Sequence, residues 1–248
     1  MNVKKLKADG KELKLLVKGA DVKFMNALRR AAMSSVPVLA IEGVSIYRNN
    51  SVLFDEYLAS RLGLVPIKSD LKSLKPGDKV KMSLSKKGPC MVYSGDIECS
   101  GIKTDVANKE IIIAKLKAGQ EIKAEMDAVV GFGKEHAKWQ PGIVAYNELP
   151  ELKKKEKLKN TKKIVECCPR KVLELKAGKV VLKDPYECNL CGRCETESGN
   201  RLEVSGNGNT FILSVESFGQ LKPADILLKA VEALKEKSEE FEKELKKL

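Results

Sequence analysis

The triplet Cys188-x2-Cys191-x2-Cys194, with Cys168-Pro169 upstream, constrains this chain more than any other feature. Three thiolates spaced this tightly wrap one side of an iron–sulfur cubane. A cysteine before proline, arriving from elsewhere, closes the fourth corner. In two-cluster bacterial ferredoxins the cysteine of the Cys-Pro step ligates the other cluster. Here Glu-Thr-Glu-Ser-Gly-Asn follows Cys194 and no further Cys-Pro appears, so the pattern is that arrangement reduced to one cluster. The expected cofactor is one [4Fe-4S] cluster held by Cys168, Cys188, Cys191 and Cys194, or [3Fe-4S] after loss of one iron. Cys167 is the alternative to Cys168.

Zinc is the competing metal. Structural zinc draws two separated Cys pairs, and a triplet facing a lone Cys-Pro fits that less well. A disulfide framework fits worse. The first residues, MNVKKLKADGKELKLLVKG, hold no apolar core of a secretory signal, and the seven cysteines are an odd number. A reducing, cytoplasmic setting is expected. Cys90 and Cys99 lie apart from the motif and read as packing residues.

At 248 residues the chain can bury two or three units, and no apolar run approaches the length of a membrane span. Lys and Arg total 46 against 34 acidic residues, a net charge of +12. Such a balance invites a nucleic-acid partner. However, much of the charge sits in Lys153–Lys163, which reads as a solvated linker, and only 5% of residues are aromatic. Base-stacking platforms are not indicated, so DNA is reached only indirectly, through partners. Catalytic patterns are missing too. The ten aspartates are never closer than eight positions, which leaves no local clamp for metal-assisted phosphoryl chemistry. Gly131-Phe132-Gly133 lacks the further glycine of a phosphate loop, and the lone His136 reads as structural or superficial.

Along the chain, Leu13–Val17 reads as a strand. Asp21 reads as the N-cap of a helix whose stripe is Val22, Met25, Arg29, Ala32 and Val36, with Phe24, Leu28 and Ala31 beside it, ended by Pro37. Val38–Tyr47 is a strand, and Phe54–Leu62 a short helix stopped by Gly63. A mainly β region runs from Val65 to about Val144, with strands at Val80–Ser85, Met91–Ile97, Ile111–Leu116 and Glu121–Val129. Turns at Pro76-Gly77-Asp78, Gly88-Pro89 and Ala118-Gly119 separate them. Val172–Leu175 and Lys179–Leu182 flank Ala177-Gly178 as a hairpin. Arg201–Val204 and Thr210–Glu216 flank Ser-Gly-Asn-Gly-Asn as a second one. A C-terminal helix starts near Pro223. Leu227, Leu234, Phe241 and Leu248 recur at seven, with Val231, Ser238 and Leu245 in the second seam position. A seam sustained over three heptads suggests packing along a helix of another chain.

Four ordered motifs add a resemblance. Phe24-Met-Asn-Ala-Leu-Arg-Arg with Ser34-Ser-Val-Pro37 resembles the first-helix motif of the α-type subunits of DNA-directed RNA polymerases. Asp55-Glu-Tyr-Leu-Ala-Ser-Arg-Leu-Gly-Leu-Val-Pro-Ile67 is similar to the stretch that follows in the archaeal members of that family, the third-largest-subunit type. His136-Ala-Lys-Trp-Gln-Pro141 and Ser214-Val-Glu-Ser-Phe-Gly219 resemble its later steps. The resemblance implies an α+β fold: a two-part dimerisation domain (1–46 and 206–248), a β-rich insert (47–164) and a small ferredoxin-like iron–sulfur domain (165–205). It implies a non-catalytic assembly subunit that pairs with a small α-like subunit, L. The pair would be the platform for the large catalytic subunits, beside other small subunits. The pairing would use Leu227, Val231, Leu234, Phe241 and Leu245. Arg29 and Arg30 match the family's paired arginines and would face the large subunits, or simply occupy a solvated helix face. The rival reading is a ferredoxin-like electron-transfer component of a redox complex. It explains the cysteines but not the long seam.

Overall fold

A computed structural model describes residues 1–69, 77–100 and 104–247. Pro76 of the expected turn and Leu248 of the seam lie outside the described residues. Helices and strands are mixed, with five α-helices and four small sheets among the described residues. Contacts divide the chain into two compact units. One comprises Met1–Lys7, Lys14–Asn26 and Ala145–Ser214, the other Ala8–Leu13, Ala27–Val144 and Val215–Leu248. No helix of the described residues is long and apolar enough to cross a membrane.

Strands β1 (Asn2–Ala8) and β2 (Glu12–Lys18) lead into helix α1 (Val22–Ser34). Asp21 caps the helix, its Oδ1 accepting from the Phe24 amide at 2.7 Å. The buried face is Met25, Leu28, Ala31 and Ala32, whereas Val22 and Phe24 are exposed. The buried face therefore keeps Met25 and Ala32 of the expected stripe and lies toward the flanking Leu28 and Ala31 rather than toward Val22 and Phe24. Helix α1 also stops at Ser34, because a residue preceding proline avoids the helical region. Val36 is buried outside it, and Pro37 opens strand β3 (Pro37–Asn49).

Strand β3 shows why its run is nearly continuously apolar. Leu39 and Ile41 point into one core, while Val38 and Ala40 pack with Trp139 on the other face. A strand alternates its side chains, so a run buried on both faces loses the in–out pattern. Helix α2 (Asp55–Gly63) buries Leu58 and Leu62 in the first of these cores. Strand β4 (Lys79–Lys87) contributes Val80, Met82 and Leu84 at period two. Strands β5 (Cys90–Tyr93), β6 (Glu98–Ser100), β7 (Ile112–Leu116) and β8 (Glu121–Phe132) complete the region. The strand expected over Met91–Ile97 is broken by a 3-10 turn at Ser94–Asp96, where the Asp96 carboxylate accepts from the Tyr93 amide at 2.8 Å. One sheet runs β3-β8-β4-β6, and β5 pairs with β7.

At the end of β8, the Gly131-Phe132-Gly133 segment shows its purpose. A Cβ on Gly131 would sit 2.4 Å from Trp139 Cε2. The indole cannot slide away: its Nε1 donates to the Val129 carbonyl at 3.2 Å, and Lys138 Nζ lies 4.5 Å from its ring centroid. Gly131→Ala should therefore cost about 1–3 kcal/mol as an overpacked site. Thermal melting of the purified chain should show a Tm several degrees lower, and an unchanged Tm would refute this packing. His136 is exposed, and its Nδ1 accepts from the Lys138 amide at 3.1 Å, capping the 3-10 turn Ala137–Trp139.

Strand β9 (Gly142–Lys154), helix α3 (Thr161–Glu166), the hairpin β10 (Leu173–Lys176) and β11 (Lys179–Leu182), helix α4 (Arg193–Glu197), strand β12 (Leu202–Ser217) and helix α5 (Pro223–Leu245) follow. A further sheet has the order β1-β2-β12-β9. The β10–β11 hairpin turns on Ala177 and Gly178, both at positive φ (47° and 71°), as a two-residue turn of type I′ requires. The second expected hairpin does not exist: Ser205–Asn209 lies inside the continuous strand β12. Its turn-like residues serve Glu148 of β9. The Glu148 side chain fills the space a Cβ on Gly206 would take, and its Oε2 accepts from the Gly208 amide at 3.0 Å, with Gly208 at φ 73°. Glycine inside a strand commonly marks such an irregularity. The lysine run 153–163 is likewise more than a linker. It carries the end of β9 and the start of α3, and Leu158 packs on the core around Ile164.

Candidate functional site

The cysteine segment is built on a small apolar base. Ile164 of α3, Leu173 and Val180 of the hairpin and Leu202 of β12 are buried together, with Cys168 and Cys194 packed against them. Helix α3 ends at Cys167, whose amide donates to Lys163 O at 2.9 Å and whose thiol donates to Ile164 O at 3.1 Å. Cys168 follows, and the chain turns back where the Lys171 amide donates to Cys168 O at 3.1 Å. After the hairpin, Asp184 caps the 3-10 turn Pro185–Glu187 by accepting from the Tyr186 amide at 3.0 Å, and this delivers Cys188. The following loop passes through left-handed conformations at Leu190 (φ 54°) and Gly192 (φ 72°). Helix α4 then carries Cys194. Glu195 Oε1 holds it to β12 by accepting from the Val204 amide at 2.7 Å.

These turns bring Cys168, Cys188, Cys191 and Cys194 to the lining of one cavity of about 20 Å3, walled by Val172, Leu173, Leu182 and Val204. Cys167 is not part of that lining. Among the described residues, no three His, Cys, Asp or Glu side chains are gathered closely enough to hold a single metal ion. Cys191 is exposed, the other three are half-buried, and none of the seven cysteines is in a disulfide. Burial pushes the Cys194 thiol up to about 11, and the neighbouring Cys167, Cys188 and Cys191 add to it as like charges. Burial also raises Cys188, against a backbone hydrogen bond from Leu190 that lowers it, and Cys168 and Cys191 raise it further. Both shifts favour the protonated thiol at Cys188 and Cys194, so metal binding there would release protons. Arg170 and Arg193 line the same cavity and bring positive charge to an anionic thiolate group. Sequence reasoning passed over both arginines, although each lies within two residues of a candidate ligand. It also passed over α3 and α4, which are too short to show a helical period. Cys90 and Cys99 pack against the separate core of the β-rich region.

The second candidate surface is α5. It buries Ile226 and Ala230 in its first turns. Leu227 and Leu234 are half-buried, but Val231 is 48% exposed, Phe241 66% and Leu245 51%. The seam thus continues, uncovered, past the part of the helix this chain buries. On α1, Arg29 is half-buried and Arg30 exposed.

The chain matches the family model of the RNA polymerase Rpb3/Rpb11 dimerisation domain over residues 14–238. It is 36% identical to the DNA-directed RNA polymerase subunit Rpo3 of Methanobrevibacter smithii, with 93% of both chains covered. The subunit of the same name from Thermococcus kodakarensis is 35% identical, over 95% of this chain and 94% of the relative. That of Methanopyrus kandleri is 33% identical, over 97% and 94%.

Proposed function

Since the chain belongs to the family of the RNA polymerase Rpb3/Rpb11 dimerisation domain, we propose that it is a non-catalytic assembly subunit of an archaeal DNA-directed RNA polymerase. It pairs through α5 with the small α-like subunit L, and the pair is the platform for the large catalytic subunits. The observation that carries this reading is the uncovered seam. Phe241 and Leu245 stay in water on a helix whose own chain covers only its beginning. Contiguous apolar surface of that kind marks an interaction site.

One iron–sulfur cluster is held by Cys168, Cys188, Cys191 and Cys194. The donor set supports it: four thiols on one apolar-walled cavity, with two arginines beside them. When bound, the cluster supplies a cross-link between chain segments, together with one-electron chemistry that assembly does not require. The chain's own residues orient the thiols and shield one side of the site. Zinc and iron are told apart by the metal retained.

The test is anaerobic co-expression with a candidate L chain, followed by iron and sulfide analysis of the purified pair and by mixing with the large subunits. A stable pair that holds iron and sulfide and recruits the large subunits is expected. A solitary chain that neither pairs nor recruits them would overturn the assembly role. A pair that holds zinc without sulfide would overturn the cluster alone.

A further inference from the structure

A second cavity in the Ala145–Ser214 segment is lined by none of the residues that line the thiol cavity. It encloses about 260 Å3 between the end of β9, the residues leading into α3, and the β10–β11 hairpin. Its walls are Leu152, Leu158, Val180 and Leu202, and its rim is Lys154, Lys157 and Lys179. The lysine-rich run, read from sequence as a solvated linker, therefore edges an apolar hollow.

The ion pairs around it leave this rim aside. Glu203 is taken by Lys155 at 3.2 Å, Glu156 by Arg201 at 3.2 Å and Glu174 by Lys176 at 3.2 Å. Among the described residues, Lys154, Lys157 and Lys179 enter no ion pair, and all three are exposed. Unneutralised cations around an apolar floor are complementary to a ligand with the reverse distribution: carboxylates outside, one apolar side chain at the centre. The apolar anchor contributes by leaving water, and the charges set orientation and encounter rate. Nucleic acid fits less well. Its sequence-tolerant binding relies on aromatic platforms, and no aromatic residue lines the cavity. We propose that this cavity is a docking site for an acidic segment of another protein, which inserts one apolar side chain between Lys154, Lys157 and Lys179.

The test uses the full chain and fluorescence anisotropy of a labelled Asp/Glu-rich peptide with one central Phe. Saturable binding is expected. It should weaken about tenfold or more when the peptide's Phe is replaced by Ala, and similarly when the protein carries Lys157→Glu with Lys179→Glu. Both lysines are exposed, and circular dichroism of the double variant confirms that its fold is kept. A single-stranded oligonucleotide of equal charge should compete poorly. Failure to saturate, indifference to either change, or equal competition by the oligonucleotide would overturn the proposal. Pairing through α5 is unaffected by any of these results, so the two readings fail separately.

Discussion

Serine in place of Cys168, Cys188, Cys191 or Cys194 is expected to strip the anaerobically purified chain of iron and sulfide, whereas Cys167→Ser should retain both. The difference follows from position. The first four thiols line one cavity, while Cys167 turns its thiol to the Ile164 carbonyl. Loss of the cluster should also loosen the segment around it. Its apolar base is four buried side chains: Ile164, Leu173, Val180 and Leu202. Each contributes about 1.5–3 kcal/mol, and ordering the chain around them costs about 1–2 kcal/mol per residue. A bound cluster would add the cross-link that so small a core lacks. Limited proteolysis of Cys191→Ser, paired with its partner chain, should show new cleavage between α3 and β12 with pairing through α5 kept. An unaltered cleavage pattern would count against the cluster as a staple.

Charge on the open seam should have the other large effect. Phe241→Glu with Leu245→Glu is expected to weaken pairing with the L chain by roughly a hundredfold to ten-thousandfold. That range is the loss of two apolar side chains at about 1.5–3 kcal/mol each, taken at 1.4 kcal/mol per factor of ten. Because both residues are exposed in the single chain, its own Tm should hardly move. Co-purification and light scattering read the first effect, and melting of the isolated variant reads the second. The contrast matters, because Ala230→Glu, at a buried position of the same helix, should damage the fold itself. Pairing that survives the double charge would place the interface elsewhere.

Much of this was readable without coordinates where the cause is local. Asp21 was recognisable as a cap because one carboxylate can satisfy the amide three residues on. The Ala177-Gly178 turn was recognisable because two positive φ angles select few residues. The reading failed where the cause is distant. Gly206 and Gly208 carry a turn composition, yet they lie in β12 because Glu148 of another strand occupies the space and accepts the amide. Helices α3 and α4 were missed because one or two turns leave too few positions for a period to emerge. The residues of the α1 face, Met25, Leu28, Ala31 and Ala32, were all legible, but its centre was placed too close to Val22 and Arg29, because several apolar choices are nearly equivalent along that stripe.

Chain order alone showed the Cys188-x2-Cys191-x2-Cys194 spacing, the heptad repeat and the polymerase-family motifs, because each is a spacing of side chains that needs no partner to be recognised. Only the folded arrangement decided that Cys168, and not Cys167, lines the cavity shared by Cys188, Cys191 and Cys194, that Trp139 claims the space at Gly131, and that the lysine run edges a cavity. These depend on which surfaces exclude water from one another, and residues far apart in the sequence settle that together.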